Sequence, residues 1–261
     1  MQCIFCKQDS STSVSKEHII PESLGNTKHI LHRGIVCDKC NNYFARKVEK
    51  PILDSDYFTQ ARFHNFLANK RGLIPALENL VGPEGVNLGA FRDKNWMTHL
   101  YPTNLKDESK FINYLRQNSC GNIYFPVASK VDAYLISRFL AKIALEILAF
   151  RVIPLPGWED EVIFRNELDE IRNFSRYGDL KNKWEFYERR LYEYNHRFTS
   201  EGGNDYEILH EFNLLYTKSQ ELLAVIVILG VEYTISLCNR EINGYKKWLK
   251  ENHYNSPLYF S

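Results

Sequence analysis

Four cysteines in two pairs carry the most definite chemistry in this chain. Cys3 and Cys6 form one C-x-x-C knuckle, Cys37 and Cys40 form a second, and thirty residues separate the two. A tetrahedral ion needs four thiolates, and a two-residue gap lets one turn present two of them, so the spacing predicts a closed structural zinc site. A pair of disulfides or a redox couple is the competing reading. It is the weaker one, because the first cysteine stands at position 3 with no apolar leader before it, and two knuckles at this separation seldom serve redox chemistry.

Glu17 and His18 lie between the knuckles, and Asn41 and Asn42 follow the last cysteine. An ion that gathers the knuckles would bring a carboxylate, an imidazole and an amide from distant positions toward one small site. The run Glu-His-Ile-Ile-Pro-Glu-Ser-Leu-Gly-Asn at 17–26, followed by Gly-Ile-Val-Cys-Asp-Lys-Cys-Asn-Asn-Tyr-Phe at 34–44, resembles the HNH or ββα-metal endonucleases in their four-cysteine, zinc-stapled variant. The resemblance covers the first fifty to sixty residues.

The resemblance implies that Glu17 and Asn41 hold a catalytic divalent metal and that His18 is the general base. Oxygen ligands from Glu and Asn suit a hard ion such as Mg²⁺ or Mn²⁺. Two positions depart from the family pattern. His32 stands where members usually carry an asparagine that orients the base, and Ala45 stands where many carry a further histidine ligand. The second departure favours Mg²⁺ or Mn²⁺ over a second zinc. The first leaves a backbone carbonyl, Asn26 or His32 to hold the imidazole.

These groups need elements to carry them. Residues 15–20 read as a short strand with Glu17 and His18 on opposite sides unless a turn or bulge re-aims one, ended by Pro21, and residues 30–36 as its partner. Residues 40–48 read as a helix with Asn41 in its first turn, where amide N–H groups favour anions. Lys39, Arg46, Lys47 and Lys50 flank it as candidate contacts to nucleic-acid phosphates. Pro51 is expected to open a linker, and 54–69 to be helical.

Further on, 86–127 reads as strands and turns with Phe91, Trp96, Tyr101, Tyr124 and Phe125 as core. Residues 131–150 form the strongest helical pattern, a central buried helix whose Arg138, Lys142 and Glu146 are read as a charged stripe of i,i+4 pairs. Helices are expected over 160–174 and 180–198, strands over 210–217 and 222–237, and a last helix over 244–252. The fold class is α+β, with an HNH-type module at 1–60, a linker or helix at 61–75, and an α+β domain at 76–261. That last domain is read as serving recognition, oligomerisation or regulation, through a homo-oligomer contact, a protein partner or an activating ligand.

With 44% hydrophobic and 25% charged residues the chain has the composition of an ordinary globular protein. The formal net charge of +1 divides unevenly, since residues 1–75 hold eleven Lys/Arg against seven Asp/Glu. The excess lies where nucleic acid would bind. The apolar run at 222–231 is too short for a membrane-spanning helix, and a cytoplasmic location without membrane attachment is expected. The expected activity is hydrolysis of DNA phosphodiester bonds, in an architecture similar to restriction and antiviral defence effectors. The alternative is a non-catalytic zinc module that binds nucleic acid or a protein.

Overall fold

The computed structural model describes residues 1–178, 183–193, 196–200 and 202–259. Mixed helices and strands make an α+β protein. The chain divides into two compact units, one joining Met1–Ile52 to Asp132–Ser261 and the other comprising Leu53–Val131.

In the first unit the N-terminal strands are shorter than their sequence pattern suggests. β1 (Glu17–His18) pairs antiparallel with β2 (Ile30–Leu31), Glu17 opposite Leu31 and His18 opposite Ile30. α1 (Asp38–Phe44) follows, and its Cys40 and Phe44 point inward. The helix then widens into a π-helical turn, Ala45–Glu49, and continues as α2 (Lys50–Leu53). The linker expected at Pro51 is therefore helix. The widened turn resets the hydrogen-bond register, so that the proline falls in the first turn of α2, where its missing N–H costs little.

The remainder of this unit is built on α5 (Ala133–Val152), whose residues from Ile136 to Ala149 are all buried. It packs against a four-stranded antiparallel sheet of order β6-β11-β10-β9, formed by β6 (Phe186–Arg190), β9 (His210–Tyr216), β10 (Leu222–Ile228) and β11 (Val231–Ser236). α8 (Asn243–Glu251) joins Leu223 and Val225 through Tyr245 and Leu249. β10 is thus buried on both faces, which accounts for its unbroken apolar sequence. The single strand expected over 222–237 is a hairpin, because Leu229 and Gly230 both adopt positive φ (50° and 82°) and close a two-residue turn.

The helix expected over 180–198 is replaced, where the chain is described, by β6 and by the first strand of the pair β7 (Phe198–Thr199) and β8 (Asp205–Tyr206); 180–182 and 194–195 lie outside the described residues. Partnership with β11 overrides the helical tendency of Phe-Tyr-Glu-Arg-Arg. Two short helices, α6 (Trp158–Val162) and α7 (Asp169–Tyr177), stand in for the one expected over 160–174.

The charged residues on α5 are explained only in part by i,i+4 pairing. Arg138, Lys142 and Glu146 are buried, and only Lys142 and Glu146 pair along the helix, at 3.1 Å. The other partners of Lys142 come from the N-terminal module. No helix among the described residues is long and apolar enough to cross a membrane.

The second unit has its own core. β3 (Leu77–Val81), β4 (Asn87–Arg92) and β5 (Thr98–Pro102) form an antiparallel sheet whose Leu77, Leu80, Leu88 and Ala90 pack with Phe63 of α3 (Asp56–His64). α4 (Leu105–Gln117) occupies a stretch expected to be strands and turns. Asn104 caps it by accepting a hydrogen bond from the Asp107 amide at 3.0 Å. The aromatics expected in the core lie elsewhere: Phe91, Trp96, Tyr124 and Phe125 are 42–64% exposed. Strand alternation gives the inward positions to Leu88 and Ala90, so Phe91 faces outward beside His99, its ring stacked at 5.0 Å.

Candidate active site

The four cysteine sulfurs lie within 4.8 Å of one another. A tetrahedral zinc with Zn–S bonds of about 2.3 Å separates its sulfurs by about 3.8 Å. Cys6 and Cys37 are already at 3.7 Å, so the cluster fits such an ion. Cys37 caps α1, accepting the Cys40 amide, and Cys3 accepts the Cys37 amide at 3.3 Å. Hydrogen bonding with Cys40 is the main reason the Cys3 thiol is pulled down to about 5 despite its burial; the same bond pushes Cys40 up. Metal binding takes thiolates, so a bound cation would displace the thiol protons.

α7 places two arginines against this cluster. Arg172 Nε donates to the Ile4 carbonyl at 2.7 Å, and the Arg176 guanidinium lies over the Tyr43 ring at 3.6 Å. Four thiolates around a divalent ion leave an excess of negative charge, which these guanidiniums offset. Their sequence carried no sign of this role, since Arg172 is 168 positions from its knuckle contact.

Polar bonds fasten α1 to β1. Asp38 accepts the Ser15 amide at 2.9 Å and the Ser15 hydroxyl at 2.5 Å, with the Val14 amide at 3.2 Å. Asn41 Nδ2 donates to the Lys16 carbonyl at 3.1 Å, next in the chain to Glu17. This bond turns the amide nitrogen away and leaves Oδ1 to face another partner.

The Ser15 hydroxyl and amide hold the Asp38 carboxyl below its ordinary value. A depressed carboxylate contributes stability that is complete above its unfolded pKa and lost as pH falls through its folded one. Asp38→Asn is therefore expected to melt below the wild type at neutral pH. The gap should close as pH drops below about 4. Calorimetry of both proteins across that range checks this, and a gap that is constant with pH would refute it.

His18 and Glu17 point to opposite sides of β1. Gly25, at φ +91°, turns the chain after a 3₁₀ turn at Glu22–Leu24 and brings the Asn26 carbonyl to 3.1 Å from His18 Nδ1. A carbonyl can only accept, so Nδ1 carries the hydrogen, and in the neutral ring the lone pair is then on Nε2. Of the three groups considered for holding the imidazole, the backbone carbonyl at Asn26 does so, and His32 is exposed. The Asn26 side chain is wholly buried and fixes this loop, donating to the carbonyls of Ile20 (2.8 Å) and His29 (2.9 Å) and accepting the amides of Lys28 and His29. Glu22 stands 3.9 Å from His18 Nε2, beyond hydrogen-bonding reach.

Glu17 turns inward. Its Oε1 lies 2.5 Å from Lys142 Nζ, which also meets Glu49 of the π-helical turn at 2.7 Å and Glu146 at 3.1 Å. Burial raises the Glu17 and Glu146 carboxyls, with Lys142 opposing. Burial also works against the Lys142 ammonium, but Glu146, Glu17 and Glu49 outweigh it and hold the proton well above the ordinary lysine range.

This arrangement has the parts of the fold expected from the sequence: two short antiparallel strands, a helix, a four-thiolate cluster and an oriented histidine. Residues 3–56 match the HNH endonuclease family. No curated protein and no solved structure matches the chain. The HNH match spans the two knuckles, His18 and α1, and ends ahead of the helix that carries Lys142. Lys39, Arg46, Lys47 and Lys50 are exposed along α1, the π-helical turn and the start of α2. One carboxylate oxygen of Glu17 is committed to Lys142.

Proposed function

We propose that this protein is a metal-dependent endonuclease that hydrolyses DNA phosphodiester bonds at the HNH module. The observation that carries this reading is the hydrogen bond between His18 Nδ1 and the Asn26 carbonyl. A general base must present an unprotonated nitrogen, and a hydrogen bond from Nδ1 to this carbonyl gives Nε2 that role in the neutral ring.

Glu17 and Asn41 would hold Mg²⁺ or Mn²⁺, which supplies charge stabilisation at the scissile phosphate and the leaving oxygen. His18 Nε2 takes a proton from water as the water oxygen bonds to phosphorus and the bond to the leaving oxygen breaks. Lys39, Arg46, Lys47 and Lys50 contact backbone phosphates and so contribute affinity without sequence information. The zinc-stapled knuckles keep α1 against β1. A small nuclease joined to a larger domain suits a regulated cytoplasmic effector of restriction or antiviral type.

A second reading rests on Glu17, whose engagement with Lys142 would equally suit a non-catalytic zinc module that binds nucleic acid or a protein. Purified protein incubated with supercoiled plasmid and Mg²⁺ or Mn²⁺ is expected to give nicked and linear product, and EDTA to stop it. Zinc-loaded protein that leaves plasmid, single-stranded DNA and RNA intact in both ions supports the second reading.

A further inference from the structure

We infer that Lys142 is the positioning residue for Glu17, so that a helix far outside the HNH match completes the nuclease site. This rests on the metal-dependent reading above. β1 is two residues long and cannot by itself fix a side chain with three rotatable bonds. The ammonium supplies what the strand lacks. Its nitrogen lies within ion-pair distance of three carboxylates, Glu17 at 2.5 Å, Glu49 at 2.7 Å and Glu146 at 3.1 Å, and donates to the His18 carbonyl at 3.4 Å. One atom therefore touches both the acidic residue and the backbone of the base.

Lys142 and Glu146 are both 0% exposed, so neither reaches a phosphate; any action on a substrate passes through the groups Lys142 touches, the Glu17 carboxylate first and the His18 backbone second. Glu146, one turn along α5, and Glu49, on the π-helical turn, hold the ammonium from two sides. With Oε1 held at 2.5 Å from the ammonium, the Glu17 rotamer is set by the cluster and not by the two-residue strand. A buried ion cluster is a poor device for stability alone, because apolar residues of similar volume serve as well or better. Four charged side chains in this place have a purpose if one of them must be aimed.

The test is Mn²⁺ binding by the full-length protein, followed by the loss of the free-ion electron paramagnetic resonance signal, in wild type, Lys142→Met and Lys142→Arg. Lys142→Met is expected to bind Mn²⁺ about 10–100-fold more weakly, as when a partner of a metal ligand is removed. Zinc content and circular dichroism should stay unchanged. kcat on plasmid should fall with KM preserved, and Lys142→Arg, which still donates to carboxylates, should recover part of both losses. If Lys142→Met does not fold, Lys142→Met combined with Glu146→Gln, which removes a buried carboxylate together with the ammonium, takes its place with the same expected loss. Unchanged Mn²⁺ affinity in the folded variant overturns the inference. Tighter binding overturns it too, since the ammonium would then be competing with the ion for Glu17. A wild-type protein that binds no Mn²⁺ removes the metal-dependent reading itself, and the inference with it.

Discussion

His18→Ala is expected to reduce plasmid cleavage about 10²–10⁴-fold, the usual contribution of a positioned general base. The size of the effect follows from how completely the protein specifies this ring. Nδ1 is bonded to the Asn26 carbonyl, that carbonyl sits in a loop with four hydrogen bonds to the Asn26 side chain, and the turn before it is closed by Gly25 in a left-handed conformation. Removing the imidazole leaves this frame intact, because Asn26 keeps all four of its side-chain bonds. Stability and zinc content should therefore be those of the wild type, which separates a lost base from a lost fold. Measuring single-turnover rates with saturating Mn²⁺ reads the chemical step directly. A His18→Ala protein that cleaves at the wild-type rate would show that some other group accepts the proton.

Removal of the knuckle metal is the second large effect. Cys37→Ser, or prolonged chelation, is expected to unfold the N-terminal module. Binding free energy at structural zinc sites is folding free energy, of the order of 10 kcal/mol or more in small zinc domains. Cys37 is the most consequential of the four, since its sulfur also caps α1 by accepting the Cys40 amide. Loss of the metal frees the helix from β1, and Asp38 and Asn41 alone must then hold α1 to Ser15 and Lys16. Limited proteolysis should cut within the first fifty residues of the variant, and a colorimetric zinc assay should find one ion per wild-type chain. Protein that is isolated without zinc, and whose proteolysis pattern is unaffected by Cys37→Ser, would show that the sulfurs cluster for another reason.

The parts of the site that were legible in the sequence are those whose chemistry is local. C-x-x-C spacing follows from how a turn presents two ligands, and the alternation of Glu17 and His18 follows from a strand's two-residue period. Asn26 was visible as one of three groups able to hold the imidazole, although its backbone rather than its side chain makes the bond. Lys142 was not legible. On a helix this apolar, residues at 138, 142 and 146 give the same periodic pattern whether they face water or a buried partner, and the carboxylates that decide between these come from the N-terminal module. α4 was missed for a different reason. Its sequence is mostly polar, and its N-terminal signal, the Asn104 cap with acidic residues at 107 and 108, needed more weight than the surrounding turn residues allowed. The exposed aromatics of β4 and β5 show the limit of composition, since a two-residue period says which residues share a face and not which face is covered.

The unit that contains the HNH module is discontinuous, interrupted by Leu53–Val131, and its N-terminal part is bonded to residues that emerge much later from the ribosome. Lys142 meets the His18 backbone across 124 positions, and Arg172 meets Ile4 across 168. A nascent chain can load its first knuckles with metal, yet it lacks the counter-charges at Glu17 and beneath the thiolates until Lys142 and Arg172 have been added. Vectorial synthesis therefore delays the finished module, and a fragment released early would reach the cell without the groups that complete it.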